Sequence, residues 1–210
     1  MPTPVKPTAD SRLPASGPRQ KRSRERYEHL LGVAETMLLE AGGEAFRMSD
    51  LVARSGVPFG SLYQYFPDKS AVIGALAQRY NQIGRDCVAG LLAPVRDMDS
   101  LLKAVDDVVD GFYRMFRDYP VMKPIWAATQ ADSQLQAIDR EDVDIHATLL
   151  RDAYRRVMPR ASMQRSDTLS RLVTELMACA VRHALTLDDA DARRSLAMFK
   201  RGIRGFFADA

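Results

Sequence analysis

The sequence is poor in the residues that build several common kinds of functional site. Only two cysteines, Cys87 and Cys179, occur among 210 residues, which excludes a disulfide scaffold and a four-cysteine zinc module. There is no run of about 18 apolar residues, so no membrane span is expected. Residues 1–20 lack the apolar segment of a signal peptide. We therefore expect a cytoplasmic protein without a membrane partner.

The chain also lacks the sequence motifs of catalysis. It has no glycine-rich phosphate loop, no G-x-S-x-G turn, no H-E-x-x-H and no cysteine with an evident catalytic partner. The histidines His146 and His183 do not have the paired spacing of metal ligands. These absences argue against an enzyme and predict neither a cofactor nor a metal site.

Positive charge is concentrated near the N-terminus. The whole net charge of +3 falls within residues 1–79, while the rest of the chain is balanced. The run from Arg19 to Arg26 holds five basic residues against the single acid Glu25. A local excess of this kind indicates a polyanionic partner, although such runs are also found in solvated tails.

The spacing of apolar residues predicts an all-α protein of about nine helices. One apolar stripe runs from Tyr27 to Ala41 and ends at Gly42-Gly43. Two short segments, 48–55 and 59–66, follow and are joined by Gly56-Val57-Pro58, which is the pattern of a helix-turn-helix. Further helices are predicted at about 69–91, from a cap at Asp99 to Tyr119, and at 124–130, 133–158, 166–187 and 189–207.

The same patterns divide the chain into three parts. Residues 1–20 are rich in proline and are interpreted as a disordered arm. Residues 21–67 form the predicted helix-turn-helix domain. Residues 68–210 form a larger helical domain, whose first helix, 68–91, connects the two domains.

The segment Gly56 to Lys69 closely resembles the signature of the TetR family of bacterial transcription regulators, G-V-s-x-g-t-L-Y-x-Y-F-x-x-K. The resemblance is strong over 24–77, and beyond that range only the helical architecture matches. Three positions depart from the family pattern, namely Arg47, Val52 and Phe59. The resemblance implies a homodimer with an N-terminal domain for double-stranded DNA, a C-terminal domain for a small effector and a dimer interface on the last two helices.

In this interpretation the helix 59–66 enters the major groove, whose base edges carry a distinct donor and acceptor code. Phe59 either contacts a thymine methyl or is merely exposed to solvent, and Gln64 is suited to adenine. Tyr63 and Lys69 are the phosphate contacts that the resemblance supports most. The full set of predicted DNA-binding residues is Arg24, Arg47, Ser49, Arg54, Phe59, Gly60, Ser61, Tyr63, Gln64, Tyr65 and Lys69.

Two further sets of residues are predicted in the C-terminal domain. An apolar interior with a few polar groups is typical of a small-molecule site. The effector candidates are Tyr113, Phe116, Met122, Trp126, His146, Leu150, Met177 and His183. The last two predicted helices have more apolar surface than the core of one bundle requires, which indicates a dimer interface. The candidates for this interface are Leu169, Leu172, Leu176, Ala180, Ala184, Leu196, Phe199, Ile203 and Phe206.

These expectations define a DNA-binding repressor that a small apolar effector releases from a pseudo-palindromic operator. The alternative is a helical module that binds proteins or membranes and has no role at DNA, and an enzyme is the remaining alternative. The effector, the operator, the regulated genes and the sign of regulation are not encoded in these patterns.

Overall fold

The computed structural model describes residues 18–208, so the predicted arm lies outside the described residues except for its last three positions, which are helical. Within that range every regular element is a helix, which confirms the predicted all-α class. Nine helices are followed by one short turn of helix. They are α1 (Pro18–Ala45), α2 (Met48–Ser55), α3 (Phe59–Tyr65), α4 (Lys69–Leu92), α5 (Met98–Asp118), α6 (Met122–Gln130), α7 (Gln136–Val157), α8 (Met163–Ala184), α9 (Asp189–Ile203) and α10 (Gly205–Ala208).

The predicted helix-turn-helix is formed by α2 and α3. Gly56 ends α2 in the left-handed region with φ of 65°, a conformation that glycine adopts without steric cost. The chain can then reverse within three residues, and Leu51, Val57 and Leu62 meet in the buried space between the helices. Gly42 has φ of 71° and breaks α1, as its position at the end of the apolar stripe predicted.

Side-chain caps set the start of several helices. The Asp68 carboxylate accepts a hydrogen bond from the Ala71 N–H at 2.7 Å, which confirms the predicted start of α4. The predicted cap at Asp99 is wrong. Asp97 caps α5 instead, because it pairs with Ser100 in a reciprocal capping box. Similarly, α8 begins three residues earlier than predicted because Ser162 caps it.

The helices form two packed units that share α4. One unit contains α1 and α2, which α3 joins through the contacts of Tyr65 with α1, and the other contains α5 and α7 to α9. The short helix α6 packs against both α1 and α4. At this junction a β-carbon on Gly43 would lie 2.8 Å from the Ala128 β-carbon, so only glycine permits the observed approach of α1 and α6.

In the part of the chain that the structure describes, none of the helices combines the length and the apolar character needed to cross a membrane.

Candidate DNA-binding surface and effector cavity

The helix α3 presents one face to solvent and buries the other. Leu62 and Phe66 are buried, whereas Phe59, Gly60, Tyr63 and Gln64 are exposed. The Phe59 and Tyr63 rings lie one helical turn apart and contact each other with a centroid separation of 4.5 Å. The exposed face is therefore the one on which the sequence placed the base-contacting residues.

The N-terminal half of α1 packs against the C-terminal end of α3. The Tyr27 ring stacks on Phe66 at 5.1 Å and lies 6.2 Å from the Tyr65 ring. The Tyr65 and Ser23 hydroxyls share a hydrogen bond of 2.9 Å. The His29 Nε2 lies 2.9 Å from the Ser55 carbonyl oxygen, so Nε2 is the donor and ties α1 to α2. These contacts hold the exposed face of α3 in one orientation.

Two of the predicted phosphate-contacting arginines are engaged within the protein. The Arg47 guanidinium donates to the carbonyl oxygens of Glu44 and Phe46, at 2.6 and 3.0 Å. The Arg54 guanidinium pairs with the Glu40 carboxylate, although both side chains are half exposed. In the other predicted positions, Arg24 and Ser49 are exposed, while Ser61, Tyr65 and Lys69 are partly buried. Their contacts with DNA remain predictions.

The C-terminal domain contains a partly open, mostly apolar cavity of about 360 Å³ between α4, α5, α7 and α8. Of the predicted effector residues, His146, Leu150 and Met177 line it. Two glycines, Gly84 and Gly111, also line it, and their missing side chains leave room inside. We call this space the apolar cavity.

His146 supplies a polar group to this cavity in a defined orientation. Its Nδ1 lies 2.9 Å from the Asp142 carbonyl oxygen and 3.3 Å from the Asp142 carboxylate. Because a carbonyl oxygen only accepts, Nδ1 carries a proton, and in a ring protonated only at Nδ1 the other nitrogen, Nε2, is an acceptor. Asp142 is also held by Arg85 Nε at 2.7 Å. A β-carbon on Gly84 would lie 3.9 Å from Nε2, so that atom faces Gly84 on α4.

A second cavity of about 530 Å³ lies beside the apolar cavity, and Phe112, Asp142, Val143 and Ala178 line both. The predicted effector residues Phe116, Met122 and Trp126 line the second cavity. Its walls are more polar. The Arg182 guanidinium lies 4.9 Å above the Trp126 ring, and burial raises the pKa of the nearby Asp139 carboxyl.

Two of the predicted effector residues lie elsewhere. His183 is exposed on α8, because it lies about 100° around the helix from the buried Ala184 and about 200° from the buried Val181. Tyr113 lines neither cavity, because it sits at the edge of the apolar face of α5, next to Arg117 at 5.9 Å. The prediction that His183 lies in the domain interior is therefore wrong. Tyr113 is partly buried against the core, and its role at an effector site stays a prediction.

The helix α4 contributes cavity residues that the sequence patterns did not single out. Ile83, Gly84, Cys87, Val88 and Leu92 all line the apolar cavity. A signal was present, since these positions follow one another at helical spacing in the second half of α4. The apolar stripe of α4 is longer than the part that packs against the DNA-binding domain. Its second half therefore indicates a second apolar surface, which is the wall of the cavity.

The same helix is joined to α1 by charged groups. The Arg79 guanidinium binds Glu28 at 2.6 Å and Glu35 at 3.4 Å. Burial raises the pKa of the Glu35 carboxyl above its usual range, and Arg79 offsets part of that rise. The Tyr80 hydroxyl also donates to Glu35, and Tyr80 lines the second cavity. The side chains of consecutive residues on α4 therefore connect α1 with the wall of a cavity.

The predicted dimer-interface residues fall into two groups. Leu169, Ala184, Leu196 and Ile203 are buried within the protomer, so the prediction that they contact a partner is wrong. Each lies on the side of α8 or α9 that packs into the chain's own core. Leu172 and Phe206 are exposed, and Leu176, Ala180 and Phe199 are partly buried. These five remain candidates and are called the α8–α9 surface, although Phe206 lies on α10, directly after α9. Leu172 and Leu176 also line the second cavity.

A short, outward-facing second helix on a helix-turn-helix, joined to a helical domain with an apolar cavity, defines a DNA-binding regulator. The family model described as the C-terminal domain of tetracyclin repressor-like proteins matches residues 99–208. The model for bacterial regulatory proteins of the tetR family matches residues 30–76. The chain belongs to the TetR family of bacterial transcription regulators, and this class is not an enzyme class.

Individual relatives agree with this assignment. The helix-turn-helix transcriptional regulator YvdT of Bacillus subtilis is 30% identical over 87 residues, which cover 41% of this chain and 45% of YvdT. The match therefore spans less than half the length of that relative. A solved TetR-family regulator from Syntrophomonas wolfei has a TM-score of 0.69 at 13% identity, covering 86% of this chain and 94% of its own.

A second solved structure, a TetR transcriptional regulator from Rhodococcus sp. RHA1, is 19% identical and has a TM-score of 0.61. It covers 90% of this chain and 98% of its own. At these identities the two solved structures establish the fold, and the family models establish the family.

Gly60 provides a test of how closely α3 approaches DNA. A β-carbon on Gly60 would meet no atom within 4 Å, so Gly60→Ala fits the free protein and improves helix propensity. We expect an unchanged or higher Tm and operator binding weaker by about tenfold or more, because a methyl group would intrude where the backbone meets the bases. Thermal unfolding and fluorescence anisotropy measure the two effects. Undiminished binding by Gly60→Ala would contradict a close approach of α3 to the groove.

Proposed function

We propose that this TetR-family regulator is a homodimeric repressor that leaves a pseudo-palindromic operator when a small apolar effector binds. The observation that carries the proposal is the course of α4. This helix begins at Lys69, directly after the helix-turn-helix, and its second half lines the apolar cavity. A molecule in the cavity therefore contacts the same rigid element that positions α3.

Release requires that the effector prefers one arrangement of the two DNA-binding domains. A ligand with equal affinity for both arrangements would shift nothing. The ion pairs of Arg79 hold α4 against α1, so a tilt of α4 carries α1 and the supported α3 with it. In a dimer, such a tilt changes the distance between the two copies of α3.

The cavity indicates the chemistry of the effector. Most of its lining is aliphatic or aromatic, so it favours a molecule that loses apolar surface to water. The inward-facing acceptor of His146 favours an effector with one hydroxyl or N–H donor. We propose that the effector is a mostly apolar molecule with such a donor at one end.

The α8–α9 surface supports a two-fold dimer. Exposed apolar side chains on adjacent helices are costly in water unless a partner covers them, and a two-fold axis buries the same patch twice. A symmetric dimer also presents two copies of α3 to half-sites about 34–36 Å apart, one helical turn of DNA.

Binding to the DNA upstream of the chain's own gene tests the proposal most directly. We expect tighter binding than to random duplex DNA, with log K falling steeply as log salt rises. Lys69→Ala should make the decrease of log K with log salt less steep, by about 0.9 for each phosphate that the protein no longer neutralises. Lys103→Ala, which removes an exposed lysine of α5, is the matched control and should leave the slope unchanged.

Equal affinity for upstream and random DNA would argue against an autoregulatory operator, and no affinity for any duplex would favour the interaction module. The pair Lys69→Ala and Tyr63→Phe separates these two functions further. In an interaction module neither change would affect function. In the regulator each change lowers the affinity for the operator, and circular dichroism should show that the variant remains folded.

The α8–α9 surface is tested by Leu172→Glu. A carboxylate at this exposed position would have to be desolvated in an apolar interface, so we expect the dimer to dissociate at least tenfold more readily. Sedimentation equilibrium measures the change. Leu39→Glu is the matched control, because Leu39 is an exposed leucine of α1. Equal dimer stability in the two variants would place the interface elsewhere.

The apolar cavity is tested by Gly84→Leu with the apolar dye N-phenyl-1-naphthylamine as the probe. A β-carbon at Gly84 would meet only the side chains of His146 and Met115, at 3.9 Å, and the rest of a leucine side chain would take up space in the cavity. We therefore expect dye binding to weaken by about tenfold. Gly90→Leu is the matched control, since Gly90 lies on α4 outside the cavity and has no neighbour within 4 Å. If the dye binds both variants equally, the second cavity becomes the better candidate.

A further inference from the structure

The helix α3 contains no charged residue between Phe59 and Tyr65. This matters in the major groove, where guanine presents two acceptors that arginine or lysine reads, and cytosine presents a donor that aspartate or glutamate reads. Neither type of reader is available on α3. What remains are aromatic rings, the Ser61 hydroxyl and the Gln64 amide. A hydroxyl can read either kind of base pair, whereas the amide suits adenine and an apolar ring suits the methyl group of thymine.

Phe59 is the most unusual of these side chains. It is 59% exposed, although a phenyl ring gains free energy when it leaves water. The core does not require it, because Leu62 and Phe66 supply the buried contacts of α3 from the opposite face. An exposed aromatic side chain on a recognition surface indicates an apolar partner on the DNA.

The Phe59 ring is also held in place before any partner arrives. Tyr63 lies four residues further along the same face, and the two rings are 4.5 Å apart with an angle of 31° between their planes. This contact restricts the rotamers of Phe59, so less conformational entropy is lost when the ring meets DNA. A restricted ring also discriminates better between neighbouring positions in the groove.

We propose that Phe59 recognises the C5 methyl group of a thymine in each operator half-site, and that Tyr63 is the positioning residue for this contact. Among the four unmodified bases, only thymine presents a methyl group in the major groove. The operator bases beneath the start of α3 are therefore A·T pairs with thymine on the strand that faces Phe59. This inference rests on the proposed DNA-binding function and adds the base class that it recognises.

The experiment compares thymine with deoxyuridine, which differs by that single methyl group. The full chain first selects duplexes from a random library, and each thymine of the enriched sequence is then replaced singly by deoxyuridine. We expect one thymine per half-site at which the replacement weakens binding about fourfold. This is the loss of affinity that corresponds to the burial of one methyl or methylene group. Other thymines should show no comparable loss.

Variants of the protein assign this effect to Phe59. Phe59→Ala should bind thymine and deoxyuridine duplexes equally, because the ring that detects the methyl group is gone. Tyr63→Phe keeps the stacked ring and should retain the fourfold ratio, whereas Tyr63→Ala should reduce it. Since both side chains are exposed, the variants should unfold at nearly the wild-type temperature, and thermal unfolding verifies this.

The outcomes separate the inference from the function on which it rests. If no sequence is enriched by selection, the proposed operator function fails. If a sequence is enriched but no thymine is sensitive to deoxyuridine, or if Phe59→Ala shows the same sensitivity as the wild type, the role of Phe59 is overturned while the regulator function stands.

Discussion

The helix α4 is one continuous element that packs against the DNA-binding domain at one end and lines the apolar cavity at the other. Its 24 residues extend over about 36 Å, from the cap at Asp68 to the floor of the apolar cavity. Near its middle, Arg79 binds two carboxylates of α1, while the turns that follow direct their side chains towards the cavity. In the proposed release of DNA, an effector at one end of this continuous helix acts on the other end by tilting it. Both the DNA-binding surface and the cavity depend on this helix for their geometry.

The elements formed by local interactions were predictable from the sequence. Gly56 determines the turn between α2 and α3, and the Asp68 cap determines the start of α4, because both effects involve neighbouring residues only. The cap of α5 shows the limit of such reasoning. Asp97 and Asp99 are equally good cap residues alone, and only the reciprocal partner Ser100 decides in favour of Asp97. The TetR-type signature then identified the family, since it combines several residue types at fixed spacing.

The candidate sites were harder to predict because they depend on which neighbour covers each face. Helical periodicity places Leu169 and Leu196 on an apolar stripe, but it does not say whether the chain's own core or a second subunit covers that stripe. His146 and His183 are both histidines within amphipathic helices and could not be distinguished from the sequence, yet of the two only His146 lines a cavity. Gly84 escaped notice because an absent side chain leaves no periodic signal, although that absence creates part of the cavity.

The contact between Gly43 and Ala128 connects the wall of the second cavity with the DNA-binding domain. A β-carbon at Gly43 would collide with that of Ala128, so α1 and α6 approach each other here without a side chain of α1 between them. Residues of α6 such as Met122 and Trp126 form a wall of the second cavity. This wall therefore contacts α1 at Gly43, directly after the break at Gly42, and α6 packs against α4 as well. The second cavity thus has two neighbours that reach the DNA-binding domain, namely α4 and the segment that runs from Gly43 into α2.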